Sequence, residues 1–434
     1  YPLRRQRQMC IRDRATSWRF SNETFFEPLK KVISNGKLRL GWGQTGNANI
    51  GGYAWGTSMS RMPSGLGMGY RPSNIPNTSI KWESQEQWNV GVDLGFLHDR
   101  INLTVEWYKK TSSDMLMPLQ LPSYMGTSGN ASSALAAPKG NYGDIENTGF
   151  EISLNTYPIT GKFEWDSDFQ IPFNKNKLKG LAGTANAQIV GYGQWTDVVS
   201  VSSVGESLYN FYGFVCDGVY KDLEDLQTSP KPAKYPANGV FDRTNTVWVG
   251  DVKYKDINGD NIIDSNDQCA IGYTREPELV FGFGGTIEYK GFDLSAYFTG
   301  AARTSTFFED RTFWPFASGM GFFNVFKEIY DNRWTPETAG AAKYPVVTDG
   351  FNVQSMRRST VWQKDASYLR LKNLEVGYTL PKKVVSKLKI NNLRVFVNGT
   401  NLYTWDKINH TIDPESDNWY PIQRAVNFGL AVDF

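Results

Sequence analysis

Histidine is scarce in this chain, with two among 434 residues, and the two, His98 and His410, lie far apart in sequence. That leaves little material for a histidine metal centre or a Ser/His nucleophile, so neither chemistry is expected. Cysteine is equally sparse. Cys10, Cys216 and Cys269 follow no spacing pattern, which excludes a disulfide scaffold while leaving a Cys216–Cys269 bridge open. Neither sign of charge is in excess: the net charge is +2, so no basic field points to nucleic acid. Long hydrophobic runs are missing too. Mean hydropathy is −0.44, and no stretch reaches the roughly 18 apolar residues of a membrane helix. A transmembrane barrel escapes that test, because its strands show lipid only every second side chain.

What is present is alternation, in a chain with 14% aromatics and 41 glycines. The last stretch, VNFGLAVDF, places Val426, Phe428, Leu430, Val432 and Phe434 on one face, with small or polar residues between. Successive side chains of a strand point to opposite faces, so this is a strand with one oily and one wet side. Lys37–Gly43, Trp88–Phe96 and Ile101–Lys110 follow the same rule, as do Gly149–Tyr157 and Phe163–Ile171. So do Phe281–Tyr289, Asp293–Gly300, Ser367–Leu380 and Asn392–Thr400, with a phase shift between Leu371 and Leu374 that predicts a bulge. Each of these ten strands has about the length that crosses a bilayer when tilted.

The connections alternate in length. LHDR, PITGK and KGF are short and LPKKVVSKLKIN is moderate; the lysines of the last suggest a short amphipathic turn at the rim. Between them lie long ones: Gly46–Glu83, Thr111–Asn147, Asn174–Glu278, Ala301–Ala366 and Tyr403–Arg424. Tight turns on one side and large loops on the other are the pattern of an outer-membrane barrel. A soluble β-sandwich that binds glycans is the rival, but it has no reason to alternate in this way. The reading is an all-β, antiparallel transmembrane barrel with long extracellular loops, in which Asp93, Glu106, Glu288 and Asp293 face the lumen and contact a plug or set an electrostatic preference. The terminal aromatic of Phe428, Leu430, Val432 and Phe434 resembles the signal read by the barrel-assembly machinery.

Residues Arg4–Arg14 show neither strand nor helix period and resemble the translation of a sequencing adapter. Residues 1–14 are therefore set aside as foreign, and 15–434 are read as barrel.

Several stretches resemble the SusC/RagA family of TonB-dependent outer-membrane transporters of Bacteroidota. They are LRLGWGQTGNANIG (Leu38–Gly51), NTGFEISLN (Asn147–Asn155), GDVKYKDINGDNIIDSNDQCAIG (Gly250–Gly272) and RWTPE (Arg333–Glu337). ASYLRLKNLEVGYTLPKK (Ala366–Lys383), VFVNGTNLYTW (Val395–Trp405) and DPE (Asp413–Glu415) complete the set in the family's order. The resemblance implies the C-terminal half of a barrel of about 22 strands with a plugged lumen, the plug and first strands being absent here. It further implies import of oligosaccharides or peptides across the outer membrane of a Gram-negative cell. The implied partners are a SusD-like surface lipoprotein as lid and TonB–ExbB–ExbD acting through the missing N-terminal part. A passive porin-like or structural barrel is the alternative.

Two groups of site candidates follow from the residues. In DINGDNIIDSND, oxygen donors fall at Asp256, Asn258, Asp260, Asp264 and Asp267, with the Ile262 carbonyl between them, a spacing suited to a structural Ca²⁺. Asn261 stands where such loops carry glycine, and Asp267 is shorter than the usual glutamate; an Asx-rich turn without metal is the alternative. The long loops are rich in aromatics, among them Trp195, Tyr209, Phe211, Tyr212, Phe313, Trp314, Phe316, Trp419 and Tyr420. Of these, Trp195, Phe313, Trp314, Trp419 and Tyr420 are the candidates for contact with ligand or lid, against the alternative that they pack loops together.

Overall fold

The structure is a computed structural model, and it describes residues 10–47, 55–119, 124, 135–181, 188–191, 200–232, 247–308, 313–316, 324–388, 390–409, 412–415 and 422–433. Eleven antiparallel strands form one large sheet in strict sequence order. They are β1 (Cys10–Trp18), β2 (Ile33–Asn47), β3 (Glu83–Phe96), β4 (Ile101–Pro118), β5 (Lys139–Ile159) and β6 (Phe163–Leu181). After a long loop come β7 (Leu279–Tyr289), β8 (Phe292–Ala302), β9 (Tyr368–Thr379), β10 (Asn392–Asp406) and β11 (Ala425–Asp433).

All ten strands expected from alternation are present, and the short and long connections alternate as expected. The three tightest turns are built by left-handed backbone: Leu97, His98 and Asp99 between β3 and β4, Gly161 between β5 and β6, and Lys290 with Gly291 between β7 and β8. A Cβ on Gly291 would lie 2.6 Å from the Thr379 carbonyl oxygen, so this turn needs glycine both for its φ of 87° and for space. The expected bulge is at Lys372: Tyr297 faces Asn373 while the next residue, Phe298, faces Leu371. The lysine-rich connection forms the expected helical turn at Lys382–Val385.

The stretch Cys10–Arg14, set aside as foreign on its sequence, lies in β1, where Arg14 faces Trp42 and Asp13 faces Gly43. Ladder bonds are made by the backbone and accept any side chain. The strands are longer than the expected bilayer crossing: β4, β5 and β6 have 18, 21 and 19 residues, against about 10 for a tilted span. The sheet therefore continues well beyond the apolar band at its long-loop end.

Register aligns the apolar residues into rows. Trp165, Ile287, Leu294, Val376, Val397 and Phe428 are successive cross-strand partners from β6 to β11, and all six are exposed. Leu40, Val90, Trp107, Phe150 and Phe173 form a second row from β2 to β6. Toward the short-turn edge Phe163, Tyr289, Phe292 and Tyr378 face one another, with Phe292 and Tyr378 at 4.4 Å. Nearer the long loops, Phe169 and Phe298 flank Phe283, at 6.0 and 4.9 Å. A contiguous apolar face bounded by aromatic girdles suits hydrocarbon. The sandwich reading required a second sheet on that face; its side chains instead stand exposed.

Candidate functional site: the inner wall and the loop cap

The opposite face of the sheet is polar, and its charges are organised by arginines. Arg39 on β2 donates to both oxygens of Asp93 on β3, at 2.9 and 3.1 Å, and to Glu106 on β4 at 2.9 Å. A Cβ on Gly91 would lie 2.8 Å from the Arg39 guanidinium, so the missing side chain makes room for it. Arg394 on β10 repeats the arrangement, binding Asp293 on β8 through both oxygens and Glu375 on β9 at 2.6 Å. Gly377 leaves the space for that pair. Neighbouring strands thus neutralise Asp93, Glu106 and Asp293. Glu288 differs. It is exposed, directly faces both Glu164 and Asp293 in register, and lines a concavity of about 650 Å³ at the short-turn end with Lys162, Lys290, Glu375 and Arg394.

Above the sheet the long loops build a second hydrophobic core. Phe214, Tyr254 and Ile271 from the β6–β7 loop meet Phe307, Phe313, Trp314, Trp362 and Ile408 from the β8–β9 and β10–β11 loops. Phe313 stacks between Phe308 and Phe326, at 4.6 and 5.5 Å. Trp314 lies edge-on to Phe351 and Trp362, at 5.5 and 6.5 Å. Both are 2% exposed. This corrects their candidacy as ligand or lid contacts: loop-to-loop packing buries them. Phe211 joins the same core, 5.0 Å from Phe307. Tyr209 is exposed, with a left-handed φ of 57°. Trp195, Trp419, Tyr420, His410 and Phe434 lie outside the described residues.

Within the cap, the Lys364 ammonium donates to the Tyr344 hydroxyl at 2.9 Å, and that hydroxyl donates to Glu328 at 3.2 Å. Asn409 closes the chain on Glu328 at 2.9 Å. Burial holds Lys364 below the usual lysine range, with Glu328 acting the other way, and burial pushes the Tyr344 hydroxyl up. Cys216 and Cys269 are free thiols on separate ladders, one facing Tyr254 and the other Gly213. Burial raises both thiols above the ordinary cysteine value, which leaves them poor nucleophiles.

The Asp256–Asp267 loop is a chain of Asx turns. Asp256 accepts from the amides of Gly259 and Asn261 at 2.7 and 2.8 Å, and Asn258 from Asp260 at 3.0 Å. Asp260 accepts from Ile262, and Asp264 from Asn266, at 2.8 and 2.7 Å. Asp267 is fully buried and caps the amides of Ile257 and Asp264, at 2.8 and 2.9 Å. Asn261 adopts the left-handed φ of 64° that its position demands. The donors have the right chemistry for Ca²⁺, but here they bond amides instead of meeting at one point. Among the described residues no group of three His, Cys, Asp or Glu side chains could hold a metal ion. On β11, which among the described residues pairs with β10 alone, Phe428 and Leu430 project from the outer face, and Val432 shares that face less exposed.

Residues 11–402 match the profile described as TonB dependent receptor-like, beta-barrel. The chain belongs to that family. Within it, TonB-dependent receptor P26 of Formosa agariphila is 30% identical over 453 residues, which cover 97% of this chain and 42% of that protein. TonB-dependent receptor SusC of Bacteroides thetaiotaomicron is 27% identical over 440 residues, 97% of this chain and 39% of that protein. The structure of the RagAB peptide transporter superposes with a TM-score of 0.73 at 22% identity, over 97% of this chain and 43% of that one. The resemblance to SusC/RagA read from the sequence motifs is therefore borne out. The chain spans about two fifths of the length of the curated relatives it matches.

Sequence reading missed Arg39, Arg370 and Arg394, the residues that organise the inner wall. The available signal was an arginine on the polar face of a strand close to a glycine on the same face of a neighbour, as with Arg39 and Gly91.

Proposed function

We propose that the chain is the C-terminal barrel portion of a TonB-dependent outer-membrane importer of SusC type, without catalytic activity, that carries an oligosaccharide or a peptide. The observation that carries the reading is the exposed apolar row from Trp165 to Phe428, backed by a polar wall with internally neutralised arginines. A SusD-like lipoprotein would sit on the loop cap, and TonB–ExbB–ExbD would act through a plug in the preceding part of the protein. Phe428, Leu430, Val432 and Phe434 would be offered to the barrel-assembly machinery during insertion. The test is uptake by cells carrying the full-length gene. Import of labelled oligosaccharide or peptide is expected to stop when TonB is deleted, and entry that continues without TonB would favour a passive pore. Residues 1–14 are read as foreign on their sequence alone.

We further propose weak Ca²⁺ binding at Asp256–Asp267, on spacing alone, in which the ion would displace some of the amide bonds. Calorimetry on the full-length protein should show heat at millimolar Ca²⁺ that Asp260→Asn reduces. A flat titration would end the proposal.

A further inference from the structure

Three arginines on the inner wall each bind two carboxylates, but they do not share one environment. Arg39 and Arg394 take their partners from neighbouring strands and keep 36% and 25% of their side chains exposed. Arg370, on the same face of β9, is 1% exposed. Its partners come from a loop: Asp413 at 2.6 Å and Glu415 at 3.5 Å, both in the β10–β11 connection. Tyr368, two residues away and on the same face, donates its hydroxyl to Glu415, and Lys372 at the bulge approaches Glu415 at 3.6 Å. The amide of Glu415 donates to Asp413 at 2.9 Å, so the two acids are held as one unit. Arg370 faces Thr299 in register, and Arg370 Nε and Thr299 Oγ1 are both buried without a hydrogen-bond partner among the described residues. An inner-wall arginine can lose its water only if something lies over it, and the residues bonded to it identify that cover.

We infer that the segment Asp413–Glu415 is folded into the mouth of the barrel and fixed there by Arg370 as a positioning residue, narrowing the passage from the β8–β10 side. Ile408 and Ile412 of the same connection pack on the cap core, so the segment is tethered at one end by apolar contact and at the other by charge. The narrowing of a passage rests on the transport reading; the position of the segment does not. Removing one member of a buried ion pair leaves the other charge uncompensated, so the segment is expected to lift away when Arg370 is neutralised.

The test uses the full-length protein in detergent, with the heat-dependent mobility of its folded barrel as a control. Trypsin can cut this connection at Lys407 and Arg424. Arg370→Gln is expected to speed those cuts about tenfold while leaving the folded band intact, because cleavage follows the open population. Asp413→Asn combined with Arg370→Gln should be no faster than Arg370→Gln alone, and Arg370→Lys should restore part of the resistance. Unchanged cleavage in Arg370→Gln, or additive rates in the double variant, would overturn the inference. Should Arg370→Gln lose the folded band, Asp413→Asn alone is the deciding variant and must itself speed cleavage. In cells that import cargo, Arg370→Gln should shift the half-saturating concentration more than the maximal rate. If the wild type imports nothing the transport reading fails, and the trypsin result still decides where the segment lies.

Discussion

Val397→Arg should keep the full-length protein out of its folded, membrane-inserted state, seen as loss of the heat-modifiable band from the outer-membrane fraction. Val397 sits between Val376 and Phe428 in the apolar row. An arginine facing hydrocarbon near mid-depth costs about 2–4 kcal/mol in a barrel, a large part of the roughly 5–15 kcal/mol of net stability typical of folded proteins. Adding Val376→Arg, its direct partner, should deepen the defect through like-charge repulsion. The control is Ser295→Lys. Ser295 lies on the polar face between Thr286 and Glu375, so its lysine meets water and a carboxylate, and the band should persist. If Val397→Arg inserts as well as Ser295→Lys does, lipid does not cover that face.

The second large effect belongs to the cap. Trp362 is 1% exposed, lies 5.9 Å from Tyr344 and 6.5 Å from Trp314, and donates its indole N–H to the Ser355 carbonyl at 2.7 Å. Trp362→Ala removes that packing and leaves a cavity, a loss of about 3–5 kcal/mol for a buried aromatic. The residues around it come from loops, and the ladder bonds of β1–β11 are untouched. Hydrogen exchange should therefore show Phe214, Tyr254 and Phe308 amides losing protection while β3, β4 and β5 keep theirs. Loss of protection in both regions at once would mean that cap and sheet unfold as one unit.

The strands were legible because lipid on one side and water on the other impose a period of two, and Trp88–Phe96 or Phe281–Tyr289 carry that period without interruption. The stretches that the reading missed lack it for physical reasons. Cys10–Trp18 is held by backbone pairing with β2 and, at its end, by Trp18 packing on Phe20 and Phe25. The far ends of β4 and β5, KKTSSDMLMP against KGNYGDIEN, rise past the apolar band, so no solvent contrast sorts their side chains. The cap core was invisible because Phe214, Trp314, Trp362 and Ile408 come from connections far apart in sequence, and such contacts leave no local period. The inner-wall pairs were half legible. Asp93, Glu106 and Asp293 were placed on the polar face, but their arginine partners lie one or two strands away.

The bulge at Lys372 also sets where this wall tolerates a change in chain length. Elsewhere along β9 a single-residue deletion inverts every side chain on one flank, exchanging oil for water. Lys372 is the surplus residue opposite β8, so its loss would leave Arg370 turned inward and Leu374 outward. Natural insertions and deletions in this strand should therefore collect at that one spot, sparing the polarity of both surfaces.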